Sequence, residues 1–126
     1  RTIVDMENLQ EKFNKLMNSD EWIKLENDFN NLDHIFIVGN GGNMSIADHA
    51  AVDISRLTNK NAICPGSGIV ATSIISDNSF EVWFTKWIEQ RLRFLDPKRV
   101  LILGMSCSGN SSNVIKSIKL ILSIKM

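Results

Sequence analysis

Two short runs of unbroken apolar residues, each followed by a small-residue loop and then a helical repeat, restrict this chain more than any other feature. The first run is His34-Ile35-Phe36-Ile37-Val38, leading into Gly39-Asn40-Gly41-Gly42-Asn43. The second covers residues 100–103 and leads through Gly104-Met105 into Ser106-Cys107-Ser108-Gly109-Asn110-Ser111-Ser112-Asn113. Continuous apolar runs of this length fit strands buried on both faces, which is the habit of parallel sheets. Behind the first loop, Met44, Ala47, Ala51, Ile54 and Leu57 recur at helical spacing. Behind the second, Val114, Ile115, Ile118, Ile121 and Leu122 do the same. Strand, loop and helix in this alternation predict an α/β fold with helices on both faces of a parallel sheet.

The rest of the chain fits around those units. Residues 6–17, with Met6, Leu9, Phe13 and Leu16 at helical spacing, predict an amphipathic helix, and residues 21–31 a second. Residues 61–64 predict a strand, stopped by Pro65, which has no N–H to give to a ladder. Residues 69–75 fit a short helix or a strand. Asn78 and Glu81 have capping-box spacing, predicting a helix that runs to about Leu95 with Trp83, Phe84, Trp87 and Ile88 on its apolar stripe. At 126 residues and 44% apolar composition, one domain over 1–126 is expected, with N-terminal helices at 6–31 and an α/β core at 34–126.

Charge and cysteine content exclude several functions. Fourteen Lys and Arg balance fourteen Asp and Glu, so no basic excess favours nucleic acid or a membrane surface. No apolar run approaches the roughly 20 residues a spanning helix needs. Cys64 and Cys107 have neither CxxC nor zinc-finger spacing, and a cytoplasmic location is the expectation.

The two loops carry the chemistry. Glycines at 39, 41 and 42 let main-chain N–H groups approach a ligand, and the helix behind them presents its positive dipole end. A Walker loop is excluded because no lysine follows, and a dinucleotide fingerprint because Met44 stands at the third glycine position. In the second loop, four serines within seven residues (106, 108, 111 and 112) offer hydroxyl donors at a helix start. Alcohols and helix N–H groups together suffice to hold a phosphate without a cation, whereas plain helix capping needs one serine. His49 and Asp53 stand at i, i+4 on one helix face, a spacing suited to a divalent metal, to acid–base work or to an ordinary surface contact. His34 opens a strand and Asp48 points elsewhere on the helix, so neither is a site candidate.

These blocks resemble the sugar isomerase (SIS) domain family, and within it the phosphoheptose isomerases. The resemblance rests on residues 36–57 and 100–118, with residues 76–84 similar to the region between. It implies a three-layer αβα sandwich around a flavodoxin-like parallel sheet. It also implies aldose–ketose isomerisation of sedoheptulose 7-phosphate to a heptose 7-phosphate, for bacterial surface polysaccharide. Ser106, Ser108 and Ser111 would hold the phosphate, Asn40, Gly41 and Gly42 would line the sugar site, and Asn43 and Cys107 would complete the substrate-binding set. Asp53 falls where the family has a catalytic Glu, one methylene longer, and His49 falls where some members help to hold zinc. Asn43 replaces a serine and Cys107 a threonine of the family pattern. Relatives draw a Gln and a His from a C-terminal helix, so the chain is expected to lack the last strands and that helix. A homotetramer is implied as well. The alternative the resemblance allows is a non-catalytic SIS module that binds a phosphosugar or a protein such as a replication initiator.

Overall fold

In the computed structural model, which describes residues 8–125, the chain divides into two units, Arg1–Asn31 and Leu32–Met126. The first holds α1 (Leu9–Met17) and α2 (Asp20–Asn31). Met6, expected on the first helix, lies outside the described residues. The break between the helices follows from Ser19. Its carbonyl accepts from the N–H of Ile23 at 3.1 Å and its hydroxyl from that of Trp22 at 3.2 Å, so Ser19 caps α2.

The second unit runs β1 (His34–Gly39), α3 (Gly42–Leu57), β2 (Asn61–Ile63), α4 (Gly68–Asp77), α5 (Trp83–Leu92), a 3-10 turn at Pro97–Arg99, β3 (Val100–Met105) and α6 (Ser112–Lys125). The sheet is parallel, ordered β2-β1-β3, with His34 in register with both Asn61 and Val100. The expected parallel α/β fold is what forms. β1 is the central strand, and every residue from Ile35 to Gly39 is buried, as its unbroken apolar run requires.

The main core lies on the Phe36–Val38 face. There Phe36 meets Trp87 edge-on at 5.3 Å, and Trp83, Phe84 and Ile88 of α5 pack with Val114 and Ile121 of α6. Ile35 and Ile37 point the other way, since side chains alternate along a strand. Ala47 and Ala51 are buried outside the aromatic cluster, where small side chains let α3 lie close to β1 and β2.

The region before α5 departs from expectation. The helix starts at Trp83 and ends at Leu92, and Asn78 and Glu81 form no capping box. The Asn78 amide donates back to the Ile74 carbonyl at 3.0 Å, closing α4, and Glu81 pairs with Lys116 at 2.8 Å. Both side chains found nearer partners than the orphan N–H groups of α5. The ambiguous segment 69–75 is helical, within α4.

Two local devices position the carboxyl edge of the sheet. At Gly104 an added Cβ would stand 2.5 Å from Cγ1 of Val114, so glycine there lets the first turns of α6 press onto β3. On the outer edge of β2, the Ser55 hydroxyl accepts from the Ala62 N–H and donates to its carbonyl, each at 3.0 Å. This occupies an edge that would otherwise be open to pairing. Ser55→Ala strands both backbone groups of a buried residue, and a loss of about 1–3 kcal/mol is expected in urea unfolding.

Candidate functional site

The carboxyl ends of β1 and β3 are neighbours, so the glycine loop and the serine loop lie side by side. Gly39 pairs with Met105, and each loop begins within one residue of that pair. In open parallel sheets, ligands bind outside this edge of the strands.

The glycine loop is a tight turn. The N–H of Asn43 donates to Asn40 at 3.0 Å, and that of Met44 to Gly41 at 3.0 Å. Gly41 has φ 57° and ψ −126°, a conformation essentially reserved for glycine. That backbone starts α3 at Gly42, with the Asn43 and Met44 N–H groups of its first turn bonded to carbonyls of the glycine loop.

In the serine loop three hydroxyls converge. Ser106 Oγ lies 2.9 Å from Ser111 Oγ and 3.4 Å from Ser108 Oγ. Ser106 also accepts from the Gly109 N–H, and Ser108 from the Asn110 N–H, each at 3.1 Å. Three hydroxyl hydrogens serve two oxygen–oxygen links, so at least one remains to donate to an outside acceptor. Ser111 occupies the N-cap position of α6 through its carbonyl, which accepts from Ile115 at 3.0 Å. Its hydroxyl bonds to Ser106 rather than to the helix. These serines therefore do more than cap. Neither loop contains Lys or Arg.

Two contacts tie the loops together. Asn43 Nδ2 donates to Cys107 Sγ at 3.5 Å. Asn40 and Asn113 form a reciprocal carboxamide pair, with Asn40 Nδ2 to Asn113 Oδ1 at 2.8 Å and Asn113 Nδ2 to Asn40 Oδ1 at 3.0 Å. Asn113 ends the serine loop in sequence but was not among the site candidates. Nothing local marks a side chain whose partner is 73 positions away.

The His49–Asp53 pair stands apart from this cluster. His49 Nε2 lies 3.4 Å from Asp53 Oδ2, and Arg56 reaches Asp53 Oδ1 at 3.3 Å. Asp53 is eleven residues beyond Gly42, about 16 Å along α3 at the usual helical rise. Both side chains are exposed enough that these ion pairs contribute little to stability. Among the described residues, no group of three or more His, Cys, Asp or Glu is placed to hold a metal. Two donors fall short of the four of a zinc site, so the described residues do not by themselves fit zinc.

The remaining titratable groups are structural, His34 at the amino end of the sheet, away from the two loops, and Asp48 and Cys64 beyond β2. His34 Nδ1 lies 3.4 Å from Asn61 Nδ2, across the β1–β2 pairing. Asp48 faces Gly66, where an added Cβ would meet its Cγ at 2.9 Å. Burial, with the Asp48 charge behind it, pushes the Cys64 thiol up to about 11. The unfolded thiol ionises at lower pH, so this group's contribution to stability falls as pH rises from about 9 to 11. At pH 8, iodoacetamide should therefore label exposed Cys107 first and leave Cys64 largely unmodified, as read by peptide mass spectrometry.

No protein-family model matches the chain. A phosphoheptose isomerase of Helicobacter pylori (strain ATCC 700392 / 26695) is 37% identical over 89 residues, covering 66% of this chain and 44% of that protein. One from Aliarcobacter butzleri (strain RM4018) is 30% identical over 87 residues, covering 68% and 46%. The chain is related to the phosphoheptose isomerases. It spans less than half the length of these curated relatives. The solved structure of phosphoheptose isomerase GmhA from Neisseria gonorrhoeae superposes with a TM-score of 0.71. That superposition covers 90% of this chain and 61% of the other, at 24% identity, and so speaks for a common fold. The parallel sheet flanked by helices is thus shared with that structure.

Proposed function

We propose that the protein is a phosphosugar isomerase of heptose synthesis that interconverts sedoheptulose 7-phosphate and an aldoheptose 7-phosphate. The observation that carries this reading is the convergence of Ser106, Ser108 and Ser111 beside the glycine loop at one sheet edge. Hydroxyls and first-turn N–H groups suit a phosphate, and the glycine loop suits the polar body of the sugar. The names of the relatives support the substrate class.

In the reaction proposed, the serine loop holds the phosphate and its binding energy orients the reacting carbons. The Asp53 carboxylate removes the proton from the carbon beside the carbonyl. A second group moves the protons on the two oxygens. The carbonyl oxygen gains one to give the cis-enediol. The proton held on Asp53 then returns to the former carbonyl carbon as the hydroxyl on the other carbon gives up its own, which exchanges ketose for aldose. His49 sits against Asp53 and would orient or share that proton. A zinc ion at His49 and Asp53 would need donors from outside the described residues, so no step runs through it.

The separation of about 16 Å between Asp53 and the glycine loop supports a homo-oligomer, a tetramer in this proposal, in which one copy's Asp53 approaches the site of another. No described helix is long and apolar enough to cross a membrane. With both cysteines free, this supports a cytoplasmic protein. The same separation favours a second reading, an SIS module that binds the phosphosugar without turnover.

The test is sedoheptulose 7-phosphate in two assays, thermal protection and conversion to the aldose. The isomerase reading expects both, and the module reading expects protection alone. Ser106→Ala should weaken binding about ten- to a hundredfold, the range for a hydrogen bond to a charged group. Unchanged affinity in calorimetry would remove the serine loop from the site.

A further inference from the structure

We propose that Asn113 is a positioning residue whose buried carboxamide holds Asn40, and with it the glycine loop, at fixed spacing from the serine loop, so that both loops grip one phosphosugar. This rests on the phosphosugar reading and adds a residue to it. Asn113 is 2% exposed, and both ends of its carboxamide bond to Asn40. It has little freedom to move. The next residue, Val114, is packed against Gly104 of β3, and Ser117 and Ile121 further along α6 are buried too. Asn113 therefore carries the position of β3 and α6 to the end of β1. Asn40 directly follows that strand and opens the glycine turn. A carboxamide has two donor hydrogens and an acceptor oxygen with two lone pairs. Pairing with Asn113 leaves Asn40 one hydrogen and one lone pair, and it fixes which way the oxygen points. Without Asn113 that amide is free to turn over, and the glycine loop loses its only amide–amide tie to α6 among the described residues.

The experiment uses the full chain with Asn113→Ala and, as a second variant of unchanged shape, Asn113→Asp, which keeps the acceptor but not the donor. Far-UV circular dichroism first establishes that each variant folds. Inorganic phosphate probes the serine loop alone, and sedoheptulose 7-phosphate probes both loops. The expected result is phosphate affinity within about threefold of wild type and sugar-phosphate affinity at least about tenfold weaker. Backbone amides of residues 40–44 should also exchange faster without ligand. Asn40→Ala combined with Asn113→Ala should lose no more sugar-phosphate affinity than the worse single variant. Equal losses for both probes would make Asn113 a structural part of the serine loop and overturn the proposal. Unchanged sugar-phosphate affinity would overturn it too. A wild-type protein that binds neither probe would overturn the phosphosugar reading itself, and this proposal with it.

Discussion

Trp87→Ala should destabilise the α/β unit by about 3–5 kcal/mol, the range for removing a large buried aromatic residue. Trp87 is 1% exposed, and its ring meets Phe36 of the central strand at 5.3 Å and 69°. The Arg91 guanidinium carbon lies over the same ring, 5.8 Å from its centre. The truncation thus removes the piece that joins α5 to β1, and the cluster around Trp83, Phe84 and Ile88 has no neighbour able to fill the gap. A domain of this size is stable by only about 5–15 kcal/mol, so the loss is a large share of the total. Urea unfolding followed by far-UV circular dichroism reads it as a lower midpoint. Phe94→Ala is the control, because Phe94 is 87% exposed and its removal should change little. A change below about 1 kcal/mol at Trp87 would mean that the aromatic stripe is not the core of the sheet's main face.

What the sequence disclosed depended on whether a signal was local. β1 was legible because a strand buried on both faces is an unbroken apolar run. β3 was found by the same kind of run, although only Val100 and Ile102 are buried and Leu101 and Leu103 are half-buried on its other face. α3 and α6 were legible because their apolar positions repeat at helical spacing. Segment 69–75 was illegible because its apolar residues, Ile69 to Ala71 and Ile74 to Ile75, flank Thr72 and Ser73 in a pattern that fits either period. The helix prevails because it turns Val70, Ala71, Ile74 and Ile75 onto the core while Ile69 is 82% exposed. The capping box at Asn78 failed for a tertiary reason, the pull of Lys116 on Glu81 from 35 positions away. The serine hydroxyls were legible as a block, yet their mutual bonding and the Asn40–Asn113 pair belong to the packing of α6 on β3. The hydroxyl cluster needs the loop geometry, and the amide pair needs Gly104 to admit Val114.

Asp53→Asn should lower isomerisation of sedoheptulose 7-phosphate by about two to four powers of ten while leaving its binding nearly unchanged. The amide has almost the same shape as the carboxylate but cannot accept the carbon-bound proton. Binding is spared because the phosphate-holding hydroxyls belong to the serine loop, beside the glycine loop from which Asp53 stands about 16 Å along α3. Stability is spared because His49 at 3.4 Å and Arg56 at 3.3 Å meet the carboxylate as exposed ion pairs. A purely structural role would move melting and affinity together, so the split between turnover and affinity is the deciding readout. Asp53→Glu retains the acceptor and extends it by one methylene. A displacement of about 1 Å at a reacting group is worth up to a hundredfold in rate, so turnover in this variant should be retained or rise. Turnover that survives in Asp53→Asn would move the proton transfer to another group. A wild-type chain that binds the sugar phosphate and never converts it would instead favour a binding module, in which the salt-bridged Asp53 is a surface residue of α3.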